Sequence, residues 1–226
     1  MGASPEMGHK NTALVAGAVG RLGEAILNAV IARGGYRQVL ALAQASRDGE
    51  LPSMSFGMDR LSLATTVSLP AIDDVFILVG DPADAHSRSF HGRDMPFLQV
   101  HRANLAAVSQ AAAAAGARRV VLVSPLPAWQ QVGRFHRALG DETELAISQM
   151  SFERLLILRP TRQGGPQAAG WLQRVVSVYM SIQLLMLPRS IPQLTSEQVA
   201  RAMLRALEAG GDAVSVLDAE GLAAFA

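Results

Sequence analysis

The amino-acid sequence predicts an α/β protein built on a doubly wound parallel sheet, with a small C-terminal region from about residue 160. Three observations lead there. Several short runs are apolar at every position, helical stripes alternate with them, and three glycines spaced Gly17-x-x-Gly20-x-x-Gly23 stand where the first run gives way to the first stripe. Strands covered on both faces read as continuous apolar runs, and the covering helices fall between them.

Residues 1–10 are polar and unpatterned and read as a flexible tail; residues 11–226 read as a single domain. Thr12 to Ala16 is the first strand. Leu22, Ile26, Ala29 and Val30 then share one helical face, with Gly34-Gly35 as the stop. Gln38 to Ala43 is a second buried strand. Met54 to Phe56 and Leu63 to Val67 are alternative short strands in a stretch, 44–73, with no convincing helix. Val75 to Val79 is the clearest strand, closed by Gly80-Asp81-Pro82. An Ala-rich helix is expected from Pro96 to Ala115, with Phe97, Leu105 and Val108 inward and Gly116 after it. Strand Val120 to Ser124, a helical stretch around Gln130 to Ser148, and strand Leu155 to Arg159 come next, the last closed by Pro160. Thr195 with Gln198 three later forms a capping box for a helix carrying Val199, Met203, Leu204 and Leu207, which Gly210-Gly211 ends. Ala213 to Leu217 is the last strand.

Composition excludes several chemistries. Among 226 residues there is no cysteine, so thiol nucleophiles, disulfides and thiolate metal sites are out. Of the 20 Lys and Arg residues only Lys10 is lysine, which confines any Schiff-base or phosphate-binding lysine to the tail. A net charge of +1 and no basic stripe give no nucleic-acid signal. The longest apolar stretch, Val175 to Leu187, is interrupted by Ser177, Ser181 and Gln183 and is too short to span a bilayer. Without a charged-then-apolar leader, and with Glu6 where a myristoylation signal needs Ser or Thr, a soluble cytoplasmic protein is expected.

The glycine triplet carries the first functional reading. At a strand-to-helix junction the first glycine makes the tight turn, the second lets backbone N–H groups approach a pyrophosphate, and the third lets helix pack on strand. The N–H groups and dipole of the helix beginning near Gly20 favour phosphate charge. The alternative is a glycine-rich turn kept for packing. Cofactor preference rests on the end of the second strand. NAD-type sites place an acid there, about 20 residues beyond the glycines. Here Gln44-Ala45-Ser46-Arg47 precedes the first acid, Asp48. Arg47, and Arg21 within the glycine loop, would suit a 2′-phosphate. NADP is thereby slightly favoured over NAD, although Arg47 on a solvated loop is an equal reading.

At this point the chain resembles the atypical short-chain dehydrogenase/reductases, the NAD-dependent epimerase/dehydratase or NmrA-like group. Its flavour is that of the bacterial subset related to a human Tat-interacting protein. The resemblance rests on ALVAGAVGRLGEAIL (13–27), VFILVG (75–80), NLAAVSQAAAAAGARRVVLVSPL (104–126), LLILRP (155–160) and VARAMLRALEAG (199–210), in that succession. It implies a Rossmann-type sheet with a reduced C-terminal substrate region. It also implies that Gly17, Val19, Gly20, Arg21 and Leu22 line the pyrophosphate and adenosine. Gly23 completes that loop, and Gly80 and Asp81 pass near the adenine or its ribose. Ser124 falls at the active-site serine or one before it.

The match breaks at the next station. The family carries Tyr-x-x-x-Lys at the start of the following helix, where this chain has Phe135 and Leu139. The tyrosine exchanges the substrate proton, and the lysine lowers its pKa from about 10 towards working pH. Phenylalanine has no such proton and leucine no charge. Neither Tyr36 nor Tyr179 has a lysine four later. His136 reads as an exposed helix residue, and Arg137 stays protonated. Asp81 or Ser124 could polarise a carbonyl.

Other constellations have bland readings. His86, His91 and His101 with Asp81, Asp84 and Asp94 match no metal spacing and read as a solvated loop. Asp141, Glu142 and Glu144 read as solvated carboxylates at a helix start. Trp171 to Leu187 suits core, a substrate pocket or a subunit contact, which leaves an oligomer open. Two functions are implied: a dinucleotide-binding sensor or regulator with a degraded acid–base site and an unknown small-molecule or protein partner, or an NADP-dependent oxidoreductase or nucleotide-sugar epimerase-like enzyme with non-standard residues. A Rossmann-type protein that no longer binds nucleotide is the third reading.

Overall fold

The computed structural model describes residues 11–44, 60–80, 89–90, 93–94, 96–131, 138–161 and 192–226. The expectations for the tail, for Met54 to Phe56 and for Trp171 to Leu187 lie outside them.

Seven parallel strands form the sheet: β1 (Asn11–Ala16), β2 (Tyr36–Leu42), β3 (Leu61–Ala64), β4 (Asp74–Leu78), β7 (Arg119–Val123), β8 (Arg154–Arg159) and β9 (Val214–Asp218). A two-stranded ribbon, β5 (Ser89–Phe90) and β6 (Arg93–Asp94), stands apart from it. The sheet order is β3-β2-β1-β4-β7-β8-β9, so the direction of winding reverses between β1 and β4. Ligands of open α/β sheets bind outside the carboxyl ends of the strands at such a reversal.

Successive strand side chains fall on opposite faces, and here both faces are covered. On one, Ala13, Val15, Phe76, Leu78, Val121, Val123, Leu156 and Leu158 pack with Ile26, Leu27 and Val30 of α1 (Gly20–Ala32) and Val199, Met203 and Leu207 of α4 (Ser196–Glu208). On the other, Leu14, Ala16, Val75, Ile77, Val120, Leu122, Leu155 and Ile157 meet Leu105, Val108 and Ala112 of α2 (Arg102–Ala114) and Ile147 of α3 (Glu142–Ser148). This double burial is why the central positions of β1, β4, β7 and β8 are apolar without alternation. A short α5 (Ala219–Ala223) ends the chain, and its N-cap Asp218 accepts from Gly221 N.

The N-terminal ends of the strands are joined by a polar network. Tyr36 donates to buried Asp74 at 2.7 Å, and Arg119 Nε donates to the other Asp74 oxygen at 2.6 Å. Arg33 stacks 5.6 Å over the Tyr36 ring and pairs with Glu208 of α4 at 2.8 Å.

Two expectations are corrected. The helix read from Pro96 begins at Arg102, and residues 96–100 are extended. They satisfy backbone groups that no helix could reach: Gln44 N donates to Pro96 O, Leu98 N to Leu42 O and Gly80 N to Val100 O. Where β1 leaves the sheet at Gly17, this segment takes its place between the ends of β2 and β4. Of the helical stretch expected around Gln130 to Ser148, the described residues form a 3₁₀ turn at Ala128–Gln131, a non-helical segment at 138–141 and the short α3, while 132–137 lie outside them. Asp141 caps α3 by accepting from Glu144 N at 2.9 Å, which fixes its start.

Candidate functional site

The glycine loop lies at the reversal. Gly17, at φ +82°, turns the chain out of β1, and a Cβ there would stand 2.2 Å from the Leu78 carbonyl oxygen at the end of β4. Val19 N donates back to Gly17 O at 2.7 Å. Gly20 opens α1 at φ +72°, a backbone that L side chains rarely adopt. A Cβ on Gly23 would meet Ala18 C at 2.7 Å and Gly17 O at 2.8 Å, so α1 rests directly on the loop. Each glycine of the triplet thus has its own steric reason.

Helix α1 has no side-chain cap and no acid in its first turn. By contrast, the N-cap side chains of Thr195, Asp141 and Asp218 each accept a backbone hydrogen bond from α4, α3 and α5. The first turn of α1 therefore presents the positive end of the helix dipole without a capping side chain. Val19 is buried, Leu22 is half-buried and Arg21 is exposed. Arg21 lines a groove of about 720 Å³ between α1 and α4, together with Glu24, Asn28, Glu197 and Arg201. The Glu197 carboxyl is held below its usual range, first by its own backbone N–H, then by the Thr195 side chain, with Arg201 and Arg21 adding charge.

Across the reversal, Gly80 follows β4. A Cβ there would lie 3.1 Å from Gln99 Nε2 and 3.3 Å from Gln99 Cγ, so this position lacks a side chain because the Gln99 amide fills the space. Gln99 is buried, and its carbonyl accepts from Asn104 Nδ2 of α2 at 3.1 Å. Sequence reasoning missed Gln99, because only the path of 96–101 brings it to the crevice.

Ser124 continues β7 by donating its N–H to Leu158 O at 2.8 Å, and it is 7 % exposed. Gln131 ties the strand ends beside it, donating to Leu126 O and Thr161 Oγ1, both at 3.3 Å, and accepting from Ala219 N at 3.4 Å. Leu139 is a correction to the expected helix: it lies ahead of α3, half-buried against the α2–α3 side of the core. Glu144 is another. Instead of being solvated it is buried and paired with buried Arg159 at 2.7 Å. A charged residue ending an apolar strand was the available signal, since a buried arginine requires a partner.

Arg47, Asp81, Phe135 and His136 lie outside the described residues, as do His86, His91 and Asp84. His101 is the α2 N-cap. Among the described residues, no group of three or more His, Asp or Glu could hold a metal ion, and no helix is long and apolar enough to cross a membrane.

No family model and no curated protein matches the chain. Solved structures do. A UDP-galactose 4-epimerase superposes with a TM-score of 0.50 over 92% of this chain and 76% of that one, at 16% identity. The Bordetella bronchiseptica enzyme WbmF in complex with NADH gives 0.49 over 95% and 75%, at 14% identity. A UDP-N-acetylglucosamine 4-epimerase from Bacillus cereus gives 0.47 over 92% and 78%, at 15% identity. The likeness is one of fold: with the strand order and the glycine turn, the chain has a Rossmann-type α/β architecture.

Proposed function

We propose that the chain binds a nicotinamide dinucleotide across the β1–β4 reversal and acts as a cofactor-binding sensor or regulator of the short-chain dehydrogenase/reductase type. The observation that carries this reading is the cradle made by Gly17, Gly20 and Gly23, where a Cβ at 17 or 23 would collide with backbone and the first turn of α1 has no capping side chain. Gly17, Val19, Gly20, Leu22 and Gly23 would hold the pyrophosphate. Gly80 and Asp81 would pass the adenosine, with Arg21 and Arg47 favouring a 2′-phosphate and hence NADP. When bound, the cofactor supplies a hydride donor or acceptor. The chain supplies binding and orientation, without the Tyr and Lys that manage the proton in the resembling enzymes.

Ser124, placed at the end of β7, favours the second reading, a working oxidoreductase or epimerase with unorthodox proton donors. Thermal unfolding with NADPH, NADH and neither tests both. A dinucleotide at 100 times its Kd stabilises by about 2.7 kcal/mol. No shift with either would end both readings. A shift without NADPH oxidation across a panel of carbonyl compounds supports the sensor, and oxidation supports the enzyme.

A further inference from the structure

The Arg159–Glu144 pair stands at the carboxyl end of β8, on the other side of the reversal from the glycine loop. Arg159 ends β8, in register beside Ser124, which carries on the line of β7. The alternation along β7 and β8 assigns both residues to the face covered by α2 and α3. The two charged side chains are 5% and 4% exposed. Arg159 Nη2 donates to Glu144 Oε2 at 2.7 Å and to Ala138 O at 2.8 Å, and the same Glu144 oxygen accepts from Gly140 N at 2.5 Å. A Cβ on Gly140 would sit 3.0 Å from Arg159 Nη2 and 3.2 Å from Glu144 Oε2, so the contact is closed to any larger residue. Leu139, between the two tethered backbone groups, is turned onto the core.

Such a pair is a poor device for stability alone. Desolvating two charges offsets most of their attraction, and apolar residues of similar volume often serve as well or better. What the pair does supply is direction: it fixes residues 138–140 against the ends of β7 and β8. The glycine loop follows β1, three strand positions from β8 in the sheet, so the pair is remote from the pyrophosphate cradle and one strand from Ser124.

Building on the dinucleotide reading, we propose that Arg159 and Glu144 are positioning residues for the nicotinamide half of the crevice. They hold the wall against which the ring is placed and leave the adenosine half untouched. The two halves are separated by comparing NADH with ADP-ribose, which lacks the ring. Breaking the pair with Glu144→Gln leaves a buried unpaired guanidinium and risks the fold, so the informative variant is the apolar replacement Arg159→Met with Glu144→Leu. Calorimetric titration is expected to show that this double variant keeps its Tm and its ADP-ribose affinity but loses about tenfold or more in NADH affinity.

Unchanged NADH affinity in that variant, or equal loss for both ligands, overturns the proposal. So does a wild type that binds the two ligands equally. A wild type that binds none of NADH, NADPH and ADP-ribose overturns the dinucleotide reading itself and this inference with it, and one that binds only NADPH is compared with 2′-phospho-ADP-ribose in the same way. Hydrogen exchange on the wild-type chain gives a second readout independent of any variant: peptides covering 138–144 are expected to gain protection with NADH and not with ADP-ribose. Equal protection by both ligands overturns the proposal.

Discussion

A methyl group at position 17 has no space to occupy. Its carbon would overlap the Leu78 carbonyl oxygen at 2.2 Å, and the backbone at φ +82° disfavours any L side chain. Gly116 has nearly the same φ, +84°, with nothing within 4 Å of its would-be Cβ. Gly116→Ala is therefore expected to cost only backbone strain, roughly 1–2 kcal/mol, and to keep any dinucleotide-dependent shift. Gly17→Ala adds collision to strain, roughly 2–5 kcal/mol in all, and abolishes that shift. Urea unfolding and thermal shift on the two variants separate geometry from occlusion. At Gly80 the obstacle is the Gln99 side chain, so Gly80→Ala should be much less harmful once Gln99→Ala has cleared the space. Strictly additive costs in that double-mutant cycle would break the link.

Tyr36 gives a pH test. Burial, then the charge and hydrogen bond of Asp74, push its hydroxyl well above the usual tyrosine value. A raised folded-state pKa means stability that is complete below the unfolded value of about 10 and is lost as pH rises towards the folded value. Only Tyr36, Tyr179 and Lys10 are tyrosine or lysine, so few groups titrate in that alkaline window. Tyr36→Phe is expected to flatten the fall of unfolding free energy above about pH 10, and an unchanged slope would count against the buried pairing.

Helix α4 shows which element boundaries a sequence can display. Its N-terminus is written locally: Thr195 Oγ1 accepts from Gln198 N at 3.2 Å, and Gln198 Oε1 accepts from Thr195 N at 2.8 Å, as the spacing of the two residues predicts. Its C-terminus is held by a residue some fifty positions earlier. Arg154 donates to Leu207 O at 2.8 Å, Ala206 O at 3.1 Å and Gly210 O, a cap that no window along the chain reveals. Thr195→Ala should cost about 1 kcal/mol. Arg154→Met strips charged donors from the last carbonyls and should cost more, about 1.5–3 kcal/mol. The two sites are about 20 Å apart along the helix, so their costs should add in denaturant unfolding. The misread boundaries have the same origin. Residues 96–101 carry an apolar stripe that suits a helix, yet the open backbone groups of Leu42, Gln44 and Gly80 draw the segment into the sheet. Within the stretch expected to be helical around 130–148, residues 138–140 leave the helix because Gly140 serves the Arg159–Glu144 contact and Asp141 starts the short α3.

At the scale of the molecule, the near half of the candidate site was legible and the far half was not, for a physical reason. Gly17, Gly20 and Gly23 act within seven consecutive residues. Ser124, the Glu144–Arg159 pair and Gln131 come to the same end of the sheet only because β7, β8 and β9 are neighbours in it. That same arrangement leads us to expect one cooperative unit among the described residues. Strand β9 pairs with β8, and α4 lays Val199, Met203 and Leu207 on the same core face as Ile26, Leu27 and Val30 of α1, with Glu208 reaching back to Arg33. The C-terminal residues thus cover sheet formed by the N-terminal half, and neither part has a complete core alone. Calorimetry is expected to give one transition with equal calorimetric and van't Hoff enthalpies. Core truncations on opposite faces, Phe76→Ala beside α1 and Leu122→Ala beside α2, should each lower that single transition, by about 3–5 and 2–5 kcal/mol. Two resolved transitions, or one face melting ahead of the other, would instead divide the chain into separate folding units.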